Sequence, residues 1–203
     1  MLTFYTNPMS RGRIARWMLE EVGQPYETRV VEYQTSMKAP DYLAINPMGK
    51  VPALVHAGKV VTECAAICTY LALAFPQARL IADDQAAFFR WMFFAAGPME
   101  QAVVNNSFGW LPSGPQEKRR LGYGDLGDVL TALTDHLRGH DFIADDRFTA
   151  ADVYVGSQVG WGLQFGSLPG NEVLKAYWAR LQDRPARLAA EAKDTALLTE
   201  RPA

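Results

Sequence analysis

Cysteine is nearly missing from this sequence: among 203 residues only Cys64 and Cys68 carry a thiol, too few for a disulfide-stapled secreted scaffold. The two are poorly spaced for each other. Four residues apart on a helix, their Cβ atoms would stand roughly 6 Å apart, beyond the ~4 Å a disulfide wants. An excess of one charge is missing as well. With 20 Lys+Arg against 22 Asp+Glu, nothing favours a general affinity for nucleic acid or anionic lipid. No apolar run approaches the ~18 residues of a membrane span, and the N-terminal MLTFYTNPMS lacks a basic stretch followed by an apolar one. These absences point to a reducing, cytoplasmic setting with no nucleic acid and no membrane as partner. Internal repeats and low-complexity tracts are absent too.

What is present suits a globular chain. Hydrophobic residues make up 49% and charged ones 21%, enough to bury a core and stay soluble, and the length allows two small domains. Leu2–Tyr5 is a short apolar run followed by the turn residues Thr6, Asn7 and Pro8, and Ser10 is a good N-cap. From Arg11 the apolar residues Ile14, Trp17, Met18 and Val22 fall at helical spacing, and Gly23 supplies the stop. Tyr26–Val31 reads as a strand, which completes a β-α-β unit with parallel strands. After possible helix around Asp41–Ile45, the segment Val51–His56, the Ala57-Gly58 turn and Lys59–Thr62 read as a hairpin. A helix from Cys64 to Phe75 follows, stopped by Pro76. Pro52 is tolerable only at a strand's start.

Beyond a connector the signals turn helical. Ala86–Ala102 is rich in aromatic and aliphatic side chains with no proline before Pro98, and no convincing strand pair follows. Thr149 and Asp152 form an acidic capping box ahead of an apolar run, with Phe148 as its hydrophobic staple. Clustered Gly, Pro, Asn and Ser between Asn105 and Gly124 read as a loop or helix break. The expected division is residues 1–77, a linker over 78–84, and a helical domain over 85–203.

Three separated pieces fall into one order: the strand-loop-Ser10-helix start, Asn46-Pro47-Met48-Gly49-Lys50-Val51-Pro52-Ala53-Leu54, and Thr62-Glu63-Cys64-Ala65-Ala66-Ile67. Together they resemble the cytosolic glutathione transferases, of bacterial and serine type. The second piece looks like that family's N-P-x-G-x-V-P-x-L stretch and the third like its E-S/T-x-A-I motif, with Cys64 where Ser or Thr is usual. The resemblance implies an α/β thioredoxin-like N-terminal domain, an all-α C-terminal domain, glutathione as co-substrate, no metal, and a homodimer.

It also implies roles for particular residues. The backbone of Val51 would pair with the cysteinyl part of glutathione, beside a cis Pro52. Glu63 would face the γ-glutamyl ammonium, the N–H at Cys64 would receive the adjoining carboxylate, and Lys50 would meet the glycyl carboxylate. Read without the resemblance, Glu63 is an acidic residue at a helix start and Lys50 a solvated loop lysine. Arg11 and Arg13 would add positive potential or simply lie exposed. Ser10 is the leading candidate to activate the thiol and Tyr5 the second, with Thr6 and Asn7 as minor donors; Ser10 also fits a plain capping role. No cysteine lies in this loop, which disfavours glutaredoxin-like exchange. Met9, Phe94, Met99 and Trp110 are expected in an apolar electrophile pocket between the domains, although aromatic residues at helical spacing more often belong to a core.

The activity implied is conjugation of the glutathione thiolate to a hydrophobic electrophile. The same site suits glutathione-dependent peroxidase, isomerase or dehalogenase work, and a related fold can also persist as a non-catalytic binding protein.

Overall fold

Alternation decides how β1 (Leu2–Thr6) sits: Leu2, Phe4 and Thr6 are buried, while Thr3 and Tyr5 point the other way and are only half-covered. The computed structural model describes residues 1–199. From β1 the chain enters α1 (Gly12–Val22), which buries Ile14, Trp17, Met18 and Val22 and ends at Gly23 in the left-handed conformation, φ 69°. β2 (Tyr26–Val30) then pairs parallel with β1, one residue shorter than the expected strand. A parallel neighbour requires such a crossover. After the short α2 (Pro40–Leu43), β3 (Ala53–His56) pairs antiparallel with β1, and β4 (Lys59–Thr62) with β3.

The sheet order is β2-β1-β3-β4. Ala57 and Gly58 both have positive φ, 51° and 77°, as a tight two-residue hairpin turn demands. β3 begins at Ala53 instead of Val51, since Pro52 has no N–H to give to the ladder. The Val51–Pro52 peptide is cis. α3 (Cys64–Ala74) buries Ile67, Cys68 and Leu71, packs against α1, and ends ahead of Pro76. Both cysteines are buried, and neither is in a disulfide. Burial pushes the Cys68 thiol up to about 12.

The second unit is helical. α4 (Gln85–Phe94) is capped by the Asp84 carboxylate, and it continues through a π turn over Ala95–Met99 into α5 (Glu100–Ser107). Pro98 sits inside that turn, where the widened hydrogen-bond pattern accommodates its missing N–H. Within the expected loop there is a further short helix, α6 (Pro115–Arg120). Its residue order explains it: proline leads, Glu117 lies in the first turn, and Lys118, Arg119 and Arg120 sit in the last, where the dipole favours cations. α7 (Leu126–Leu137), α8 (Ala150–Phe165) and α9 (Glu172–Leu181) complete the unit.

The capping box ahead of α8 is built around a buried carboxylate. Asp152 accepts the Thr149 N–H (2.8 Å), the Ile143 N–H (2.8 Å) and the Tyr177 hydroxyl (3.0 Å). Burial raises its pKa to about 6 against the pull of those donors.

The last helix, α10 (Pro185–Thr199), lies on α1. The chain over 183–199 therefore belongs with Met1–Arg79, and the helical unit is Leu80–Gln182, whereas the sequence suggested one stretch over 85–203, of which 200–203 lie outside the described residues. Periodicity reveals an amphipathic helix but not which surface it covers. The join is ionic at its centre. Arg16 and Asp194, both buried, meet at 2.8 Å from Nε to Oδ1, and Arg16 Nη1 donates to the Tyr26 and Thr28 hydroxyls, both at 3.2 Å. Nearer the end of α1, Glu21 accepts two hydrogen bonds from Arg184, at 2.7 and 2.8 Å.

Removing one partner of a buried pair strands the other charge. Asp194→Ala should cost about 3–5 kcal/mol of stability, read as a lower urea midpoint. Arg16→Met with Asp194→Leu, which removes both charges and keeps the volume apolar, should recover most of it.

Candidate functional site

Tyr5 is paired with Ala53, and Ala53 with Thr62. This row lies at one end of the sheet, so three segments leave it side by side: Asn7–Ser10 after β1, Val51-Pro52 before β3, and Glu63-Cys64 after β4. A further contact ties two of them, since the Cys64 thiol donates to the Arg11 carbonyl at 3.3 Å.

Asn-Pro-Met occurs twice, at residues 7–9 within the first of these segments and at 46–48 just ahead of the second, and each asparagine works in the same way. Asn7 Oδ1 accepts the Met9 N–H at 3.0 Å and Asn46 Oδ1 the Met48 N–H at 3.1 Å. Their amide groups donate outward, Asn7 to the Val31 carbonyl at 3.0 Å and Asn46 to the Lys50 carbonyl at 2.8 Å. Such side-chain turns fix loops that lack ladder bonds. Both side chains are buried. The Asn7 amide is thus committed to the loop, and the minor donor role expected for it is filled by structure instead.

Ser10 is half-buried. Its hydroxyl donates to the Asn7 carbonyl at 2.6 Å and accepts the Gly12 N–H at 2.9 Å. α1 starts one residue later than expected, at Gly12 with Arg11 as N-cap, so Ser10 satisfies an orphan N–H of the first turn from one position further out. Gly12 is a close approach: a Cβ there would lie 2.0 Å from Thr6 Oγ1 and 3.0 Å from Ser10 Oγ.

Lys50 is exposed, and its backbone carbonyl is held by both Tyr42 Oη (2.5 Å) and Asn46. Gly49, with φ 55° and its N–H on the Asn46 carbonyl at 2.8 Å, makes the turn into this clamp. The backbone N–H and C=O of Val51 take no hydrogen bond from the described residues. Glu63 is exposed and holds φ at 67°, ψ at 126°, a region that non-glycine residues rarely occupy. Its carboxylate has no hydrogen bond or ion pair among the described residues. Nothing in the sequence signals this backbone, because glutamate gives no cue for positive φ. The clamping roles of Tyr42 and Asn46 carry no sequence signal beyond the Asn-Pro pair that marks the second as a turn residue.

Tyr5 faces a different cluster. Its ring packs with Val31, Met37, Tyr42, Ala53 and Val51, lies 5.5 Å from the Tyr42 ring, and has the Arg29 guanidinium 5.9 Å above it. Arg13 reaches Glu191 at 4.0 Å and the Pro8 carbonyl at 3.5 Å. Of the residues expected around an electrophile, Met9 is 71% exposed in the first unit. In the helical unit Trp110 is exposed and stacked on Phe108 at 4.8 Å, and Phe94 is half-buried against Trp91. Met99 corrects the expectation. It is fully buried in the π turn and presents no surface to a substrate.

The arrangement offers an open strand-like backbone at Val51, a free carboxylate at Glu63, a free ammonium at Lys50 and a hydroxyl at a helix start, a set suited to an extended peptide with both charges and a reactive sulfur. Comparison with known proteins gives the family. The family model described as "Glutathione S-transferase, N-terminal domain" matches residues 9–74. A glutathione S-transferase of Xanthomonas campestris is 30% identical over 95% of this chain and 98% of its own. A maleylacetoacetate isomerase of Pseudomonas aeruginosa is 30% identical over 94% of this chain and 90% of its own. The structure of a sphingomonad glutathione S-transferase complexed with glutathione is 26% identical, with a TM-score of 0.77, covering 95% of this chain and 98% of that one. With its thioredoxin-like sheet and following helices, this chain belongs to the glutathione S-transferase family.

Proposed function

We propose that the protein binds glutathione across Val51, Glu63 and Lys50, activates its thiol through Ser10, and transfers the resulting thiolate to a hydrophobic electrophile. The observation behind this is the row Tyr5–Ala53–Thr62, which brings the three segments out at one end of the sheet. A free cysteine thiol has a pKa of ~8.5 and is mostly protonated at neutral pH. Ser10 lowers that barrier by turning its hydrogen from the Asn7 carbonyl to the sulfur, while the Gly12 N–H stays on its oxygen and the start of α1 adds partial positive charge. The thiol proton leaves to solvent. The sulfur lone pair then forms the S–C bond. In a substitution the leaving group departs with its electron pair; in an addition the displaced pair moves onto the acceptor, which takes a proton from water.

The relative named as an isomerase is as similar as the one named as a transferase, and both chemistries need the same activated sulfur. A panel of acceptors, including peroxides, haloalkanes and isomerisable enones, separates them. The same proposal carries a cytoplasmic homodimer with it. No helix of the described residues is long and apolar enough to cross a membrane, and sedimentation equilibrium should return a dimer's mass.

Ser10→Ala should lower glutathione-dependent kcat/KM by about 100-fold, the usual size of losing one preorganised donor, whereas Tyr5→Phe should stay within about 3-fold of the parent. Unchanged turnover in the serine variant would refute the assignment. Glu63→Gln should raise the KM for glutathione about 30-fold, equivalent to ~2 kcal/mol for a charge-assisted bond, with kcat little changed. Calorimetric titration of glutathione checks the same loss directly, and undiminished affinity would place the γ-glutamyl end elsewhere.

A further inference from the structure

Thr6 ends β1 with its side chain fully buried, and its Oγ1 has no hydrogen-bond partner among the described residues. A hydroxyl left in that state is destabilising, so natural cores rarely keep one without a use. Valine has the same branched shape and would fill the space without an orphaned polar atom. The orphan also has a telling location. Where a Cβ would stand on Gly12, the point is 2.0 Å from Thr6 Oγ1 and 3.0 Å from Ser10 Oγ, so the Thr6 hydroxyl takes up the place that a side chain on Gly12 would need, with the Ser10 hydroxyl beside it.

The bonding of Ser10 leaves room for a second hydroxyl. Its hydrogen lies on the Asn7 carbonyl and one lone pair receives the Gly12 N–H. When that hydrogen turns toward sulfur, the Asn7 carbonyl keeps the Ser10 N–H at 3.0 Å, and the second lone pair of Ser10 Oγ is open. We propose that Thr6 is a positioning residue whose hydroxyl, not bonded to Ser10 in the free protein, moves to donate into that lone pair when glutathione is bound, forming a chain from Thr6 through Ser10 to the glutathione sulfur, resting on the role proposed for Ser10 above. No proton changes owner within the chain. Each hydroxyl keeps its hydrogen, and the thiol proton leaves to solvent as before. Accepting a hydrogen bond polarises the Ser10 O–H, strengthens its bond to the thiolate, and holds the rotor in its donating orientation.

The test compares Thr6→Val, Thr6→Ser, Ser10→Ala and the Thr6→Val/Ser10→Ala pair. The pKa of bound glutathione is read from the ultraviolet absorbance of its thiolate, beside kcat/KM against pH, calorimetric affinity and the thermal midpoint. Thr6→Val should fold with an equal or higher midpoint, since it removes an orphan. It should keep glutathione affinity, raise the bound thiol's pKa by about half a unit to one unit, and lower kcat/KM about 3- to 10-fold below that pKa. Thr6→Ser should restore both. In the Ser10→Ala background Thr6→Val should add nothing, because the chain is already cut. Should Thr6→Val misfold, Thr6→Ala, which also lacks the hydroxyl, should give the same rise in thiol pKa. A parental thiol pKa in Thr6→Val, beside a raised one in Ser10→Ala, would overturn the chain and leave Ser10 standing. Equal losses in both backgrounds would overturn it too, by showing that Thr6 acts independently of Ser10. An unaltered Ser10→Ala would remove the role of Ser10 and the chain with it.

Discussion

The central strand β1 has neighbours of opposite sense, β2 parallel and β3 antiparallel, and the first unit is organised by that constraint. The parallel partner can be reached only by crossing over the sheet, which creates α1 and sets its start just past the end of β1. The antiparallel partner runs back the other way, so β3 begins where β1 finishes, and its hairpin mate β4 ends there as well. One hydrogen-bonding choice therefore gathers a helix start, an unpaired stretch of backbone and a second helix start at one edge.

Gathering loops does not by itself hold them still. The two Asn-Pro-Met turns do that, each using one buried amide as both acceptor and donor. Around them the polar groups of the protein itself are largely satisfied, including the Ser10 hydroxyl. Among the described residues, those left open here include the Val51 backbone, the Glu63 carboxylate, the Lys50 ammonium and the buried Thr6 oxygen. Rigid surroundings with a few unsatisfied groups are what a preorganised site requires, because the ligand then meets donors and acceptors that need little reordering.

Much of this was legible in the sequence. Short apolar runs, turn residues and the helical spacing of Ile14, Trp17, Met18 and Val22 gave β-α-β followed by β-β-α, and the acidic capping box before α8 was visible as Thr149 and Asp152. Local chemistry was misjudged where two signals compete. Pro115 to Arg120 has the charge order of a helix, but lies among residues that usually break one. Met99 and Phe94 share one helical path, and only tertiary packing decides that the first is core. Ser10, Val51, Glu63 and Lys50 were chosen from motif order, whereas the positive φ of Glu63 and the orphaned Thr6 hydroxyl were invisible. Both are properties of a folded neighbourhood rather than of residue type.

The return of α10 to α1 has a temporal side. A chain is synthesised from its N-terminus, and domains ordinarily fold as they emerge. Here Arg16 appears early, while Asp194, its buried partner, lies 178 residues downstream. Until α10 is made, the guanidinium lacks the Asp194 carboxylate and the face of α1 that α10 covers stays open. The whole helical unit, Leu80–Gln182, is available to fold in the interval. The unit that holds α1 is thus finished after the helical one, and the closing of that long loop ties its completion to the synthesis of α10.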